Sequence, residues 1–183
     1  MKLNLLILVC SLVLTLSQGQ AQNTKDNVGD AYPVKAMESK YLKVTVFLPD
    51  TEKGYYRGTR FDWSGIIGQV EYGGHTFFKD WKITEGEKIA FVHDPFNPDA
   101  GTSTVEEFRD PLGYEDGKAG TPFLIIGVGI LERMDDKPYH WSTHYKVIEP
   151  GKWIVQAKAD RITFLQSIST GFGYAYEYEK QYV

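Results

Sequence analysis

Residues 41–48 read YLKVTVFL, and their alternation sets the reading of the whole chain. Leu42, Val44, Val46 and Leu48 fall on one face of an extended segment, the period of two shown by a half-buried strand. Working outward, short runs of similar character recur at GIIGQVEY (65–72), EKIAFVH (87–93), FLIIGVGILER (123–133), HYKVI (144–148), KWIVQAKA (152–159) and RITFLQSIS (161–169). Between them lie LPDTEKG (48–54), YGG (72–74), NPDAG (97–101) and EPGK (149–152), where Gly, Pro, Asn and Asp supply turn dihedrals. No window supports an amphipathic helix longer than about two turns. Many short strands at regular spacing predict an all-β chain, an antiparallel sandwich or barrel.

The two ends read differently. Residues 1–21, MKLNLLILVCSLVLTLSQGQA, carry one lysine, an apolar run from Leu5 to Leu16 and then Gly19-Gln20-Ala21, the pattern of a cleaved secretory signal. The run falls short of the ~20 residues a membrane span needs. The expected location is therefore periplasmic or extracellular, with no membrane span after cleavage. Cys10 is the only cysteine and lies inside that run, so the exported chain has no thiol and no disulfide. Residues 22–40 are polar with little periodicity and read as a lead-in to the domain. At the other end GYAYEYEKQYV (173–183) alternates Tyr174, Tyr176, Tyr178, Lys180 and Tyr182 against Ala175, Glu177, Glu179, Gln181 and Val183. It reads either as the last strand of a domain or as a strand still in progress in a longer one.

The chain holds 24 acidic and 20 basic residues, a net charge of −4 that becomes −5 when Lys2 leaves with the signal. A mildly acidic chain without a basic run lacks the electrostatic footprint for nucleic acid or anionic lipid, and neutral partners are favoured. The length suits one domain with a substantial core.

Several familiar chemistries fail on spacing. His140 and His144 are four residues apart, and along a strand that separation covers about 13 Å, too far for one zinc ion. HDPFNPDAGTSTVEE (93–107) offers oxygen ligands, but an EF-hand register ending at Glu106 starts on Pro95 and puts Ala100 at the glycine position. Glu106 and Glu107 remain candidates to face a pocket. Ser64 lacks a nucleophile elbow, and Gly127-Val128-Gly129 sits within an apolar strand rather than a phosphate loop. No acidic pair stands out for glycosidase work, and no cofactor or metal is expected.

What remains is GYYRGTRFDWSG (54–65) and its continuation to Trp81. Arg60 offers a fork of donors, Asp62 an acceptor, Trp63 and Trp81 flat apolar faces, and His75 a group that donates or accepts near neutral pH. A sugar needs this mixture, because its hydroxyls want paired donors and acceptors while its C–H face packs on an aromatic ring. The competing reading is a local Arg60–Asp62 ion pair with the aromatics filling the edge of the core.

GYYRGTRFDWSGIIGQVEYGGHTFF (54–78), EEFRDPLGYEDGKAGTPFLIIGVGILER (106–133) and GFGYAYEYEK (171–180) together resemble the amino-terminal half of exported bacterial proteins of the galactose mutarotase-like, or aldose 1-epimerase-like, superfamily. The likeness runs from about Tyr41 to the end. It implies an antiparallel β-supersandwich with a sugar cleft on one sheet, Arg60 near the family's early sugar-contacting arginine and His75 near an early histidine. It also implies interconversion of sugar anomers, in which a carboxylate takes the proton of the anomeric hydroxyl while an imidazole protonates the ring oxygen. In the family both groups come from the later half of the chain, and no residue here matches them. The expectation is a sugar-binding wall formed by Arg60, Asp62, Trp63, His75, Trp81 and Glu107, in an epimerase when full length or in a non-catalytic carbohydrate-binding protein of the same fold.

Overall fold

A computed structural model describes residues 32–78, 104–169 and 172–183. Trp81 and the expected strand at 87–93 lie outside them. The described residues contain ten strands and no helix: β1 (Val34–Glu38), β2 (Leu42–Phe47), β3 (Ile66–Tyr72), β4 (His75–Thr76), β5 (Pro122–Ile125), β6 (Gly129–Glu132), β7 (Lys146–Glu149), β8 (Lys152–Ala157), β9 (Ile162–Ser169) and β10 (Ala175–Tyr182). They form three antiparallel sheets ordered β1-β2-β3-β4, β5-β6-β7 and β10-β9-β8, an all-β, sandwich-like architecture. No helix among them is long and apolar enough to cross a membrane.

The alternation in β2 does what its spacing implies. Val46 is fully buried against Ile162 and Phe164 of β9, with Val44 and Leu48 packed around the same cluster, so the first sheet lies on the third. Leu42, at the outer end of the strand, is exposed. The opposite face is buried as well. Phe47 stacks on Tyr55 with ring centroids 3.8 Å apart and joins a second cluster with Trp63, Ile66, Tyr114, Phe123, Leu131 and Tyr145. A strand expected to be half-buried is therefore buried on both faces at its inner end. A third cluster, Leu124, Ile130 and Ile168, joins the second sheet to β9.

β1 arises inside the stretch read as a polar lead-in. Its side chains are mostly exposed, so apolar periodicity had little to show, but its backbone pairs with β2 in full register from Val34↔Phe47 to Glu38↔Lys43. Between β3 and β4 the chain reverses through Gly73 and Gly74, at φ 56° and 81°, the two left-handed positions a two-residue hairpin turn demands.

The apolar run FLIIGVGILER is not one strand, and this corrects the sequence reading. It folds into the β5–β6 hairpin, with Ile125 opposite Gly129 and the tip at residues 126–128. The two glycines permit the reversal: Gly127 takes φ 78° and Gly129 φ 140°, which side-chain-bearing residues rarely adopt. The tip packs against the 54–65 loop.

Candidate functional site

The 54–65 loop carries no regular secondary structure apart from turns and bends, so its own side chains organise it. The buried Tyr56 hydroxyl accepts from the backbone N–H of Arg60 and of Phe61, at 3.1 and 3.3 Å. Burial raises the Tyr56 pKa above the ordinary phenol value, which keeps this hydroxyl neutral at neutral pH. Trp63 Nε1 donates to Gly58 O at 2.7 Å, closing the loop on itself. Thr59 Oγ1 donates to Thr143 O and accepts from Tyr145 N, each at 3.2 Å, and so ties the loop to the 139–147 segment.

The structure pairs the charged residues differently from the expected local ion pair. Arg60 bonds Glu107 through two nitrogens, Nε to Oε1 at 3.0 Å and Nη2 to Oε2 at 3.4 Å. Its guanidinium lies 3.8 Å from the centroid of the Trp141 ring and 4.6 Å from that of Phe61. Arg109 reaches the same carboxylate at 3.1 Å. Arg60 and Glu107 are therefore brought together on a partly exposed patch.

Asp62 is turned inward. Its carboxylate, fully buried, accepts from Ser64 N at 2.8 Å, from Ser64 Oγ at 2.9 Å, from the Tyr178 hydroxyl at 2.8 Å and from Lys180 Nζ at 3.2 Å. Lys180 also reaches Ser64 O and Glu106, both at 2.8 Å. Burial works against the ammonium, yet the charge of Asp62 and the hydrogen bond to Glu106 outweigh it, so the Lys180 pKa is raised. The backbone of Trp63 donates to Gly127 O at 3.0 Å, and the Gly127 α-carbon sits so close that an added Cβ would lie 2.7 Å from the Asp62 carboxyl carbon. Asp62 and Lys180 are enclosed in this cluster, while Glu106 at its outer end is half exposed.

An open cleft of about 560 Å³ runs between the loop and the start of β7. Trp63, Tyr145, Met134, Val147 and Pro150 form its apolar part, and Thr51, Arg57, His144 and Lys146 its polar part. Partial burial lowers the His144 pKa, which favours the neutral imidazole. Lys146 Nζ pairs with Glu132 at 3.0 Å on the neighbouring strand. Of the residues expected from sequence, Trp63 lines this cleft, whereas Arg60 and Glu107 form the patch around Trp141 and Asp62 is enclosed. His75 is exposed on the β3–β4 hairpin and lines a separate shallow groove with Tyr41 and Tyr72.

His140 and His144 flank a turn rather than lying along a strand, with Thr143 N donating to His140 O at 3.0 Å. Among the described residues no group of His, Cys, Asp or Glu is arranged to hold a metal ion. Sequence reasoning did not single out Arg57, Trp141, Lys146, Tyr178 or Lys180. For Lys180 a signal existed: it is the one cation on the tyrosine face of the C-terminal alternation. Compared with family models, curated proteins and solved structures, the chain matches none.

Proposed function

We propose that the protein is a carbohydrate-binding protein of the aldose 1-epimerase-like type, holding a free sugar in the cleft between the 51–64 loop and β7. The observation that carries this reading is the cleft itself. Its volume of about 560 Å³ lies within the 300 to 1,000 Å³ usual for small-molecule sites, and its lining combines an indole and a phenol with a guanidinium, an imidazole, an ammonium and a hydroxyl. The rings of Trp63 and Tyr145, almost fully buried, back the cleft from the core, and the polar groups beside them suit a sugar's hydroxyl rim. The resemblance of residues 54–78, 106–133 and 171–180 to the superfamily supports the same ligand class, and the apolar 5–16 run supports an exported setting.

Anomer interconversion needs a base at the anomeric hydroxyl and an acid at the ring oxygen. The described lining has one imidazole, His144, and no carboxylate, so binding is the activity these residues support. Titrating glucose and galactose while following backbone amide resonances tests the reading. The amides of Thr51, Lys146 and Val147 should shift and those of the β3–β4 hairpin should not. Absence of any shift across a panel of aldoses and sugar acids sinks it. In polarimetry on freshly dissolved α-glucose, the rate with protein should equal that of buffer, since each missing acid or base forfeits about 10²- to 10⁴-fold.

A further inference from the structure

We propose that the exposed end of the first sheet is a second binding surface, one that takes a segment of a neutral glycan chain. Register sets Leu42, Tyr72 and His75 in one row across β2, β3 and β4. Phe77, whose N–H donates to Val70 O at 3.1 Å, lies two residues beyond His75 and so stays on that face. Further in, the same face carries Val44 and Val46 onto β9. At its outer end the face is open: Leu42 is 44% exposed, Tyr72 53%, Phe77 55%, and Tyr41 in the β1–β2 turn 64%. Single apolar side chains on a surface are ordinary, but four gathered at one end of a sheet mark a binding surface.

The surface is held in shape before any ligand arrives. Ser39 N donates to Leu42 O at 2.8 Å, and Ser39 Oγ accepts from the N–H of Leu42 and of Tyr41 at 3.0 and 3.3 Å, which closes the β1–β2 turn. Lys40 Nζ lies 5.0 Å from the centroid of the Tyr41 ring. Two tight turns therefore present the rings, and little ordering is left for binding to cost. The groove of about 330 Å³ beside Tyr41, Tyr72 and His75 adds the carboxylates of Glu38 and Glu71, the ammoniums of Lys40 and Lys43 and the Thr76 hydroxyl. A neutral sugar hydroxyl both donates and accepts, and this lining offers both, while rings beside it take the sugar's C–H face. Two acids balanced by two bases give no pull toward anionic lipid. From Leu42 to His75 the row crosses two strand spacings, roughly 10 Å, so contacts accumulate along a chain and one free sugar gains little. The surface is separate from the cleft beside β7 and stands or falls independently of it.

The full chain is titrated with cellohexaose, laminarihexaose, xylohexaose and mannohexaose, with the matching disaccharides and with glucose, while backbone amides are followed. At least one hexasaccharide should move the amides of Leu42, Gly73 and Gly74, with an affinity about tenfold or more above that of its disaccharide, and Tyr72→Ala and Tyr41→Ala should each lower that affinity about tenfold. Both side chains are more than half exposed, so the variants should keep the β-sheet circular dichroism of the parent. Hexasaccharide shifts confined to Thr51, Lys146 and Val147 overturn the second surface and leave the cleft standing. Glucose binding at the hairpins as tightly as a hexasaccharide overturns the chain. Hairpin shifts produced by concentrating the protein alone assign the patch to a second copy, and shifts produced only by phosphatidylcholine vesicles assign it to a lipid surface; either overturns the glycan. No hairpin shift with any of the four hexasaccharides overturns it whatever the cleft does.

Discussion

Gly127 shows how much of this molecule turns on single positions. Its φ of 78° lets the β5–β6 hairpin reverse, and its missing side chain lets the hairpin tip come down on the Asp62 carboxylate. Gly120 has a similar φ of 85° but open space where a Cβ would go. Gly120→Ala therefore meets backbone strain alone, about 1 kcal/mol, while Gly127→Ala adds a collision with a buried carboxyl group and should lose about 3 kcal/mol or more. Urea unfolding of both variants separates the two terms, and equal losses would mean that the hairpin tip is not pressed on Asp62. Little of this was legible beforehand. A Gly-Val-Gly within an apolar run reads as strand, and nothing local says that a residue 65 positions earlier occupies the space. Likewise Arg60 and Asp62 are close in sequence with opposite charges, but their partners, Glu107 and Lys180, lie 47 and 118 positions away.

At the level of the element, β10 carries the most information. Its alternation was legible as strand, and the structure orients it: Tyr176, Tyr178, Lys180 and Tyr182 point inward while the residues between them are exposed. Each inward side chain has an anchor. Tyr176 bonds Gln166, Tyr178 and Lys180 bond Asp62, and Tyr182 donates to Gly65 O at 2.6 Å. The strand thus holds both the site loop and the β5–β6 tip, because Gln166 also accepts from Gly127 N at 3.0 Å. Lys180→Met keeps the length and apolar stem of the side chain but strands a buried carboxylate, and should destabilise by about 3 to 5 kcal/mol. Adding Asp62→Asn to that variant removes the uncompensated charge and should recover part of the loss, a coupling of roughly 1 to 3 kcal/mol. A loss below about 1 kcal/mol for Lys180→Met would show that the ammonium is not needed to balance Asp62. By contrast β1 left almost no trace in the sequence, since a mostly exposed strand whose stability comes from backbone pairing has no apolar period to display.

For the molecule as a whole, strand content and the all-β class were legible because periodicity reports local geometry, whereas the stacking of sheets was not, because it depends on contacts between distant segments. What emerges is an aliphatic and aromatic core with several phenols in it or packed at its edge. Burial raises the pKa of Tyr56, Tyr176, Tyr178 and Tyr182 above the ordinary 10.0 and lifts Tyr114 and Tyr139 to about 12. The neighbouring Asp62 carboxylate reinforces the shift at Tyr178, and Tyr145 reinforces it at Tyr114 and Tyr139. A group whose pKa is higher in the folded than in the unfolded state favours folding fully below its unfolded pKa, and that contribution is lost as pH rises through the folded value. Lys180, raised above 10.5, has the same sign. All seven groups therefore leave the fold intact at neutral pH and weaken it together between pH 10 and 12, where the unfolded chain releases protons that the folded one retains. The protein should unfold cooperatively on alkaline titration, with tyrosinate absorbance rising in the same step in which the β-sheet circular dichroism is lost. A smooth phenol titration centred near pH 10 with the sheet signal unchanged would mean that these rings are open to water, and that the aromatic core is looser than its stacked and edge-on contacts describe.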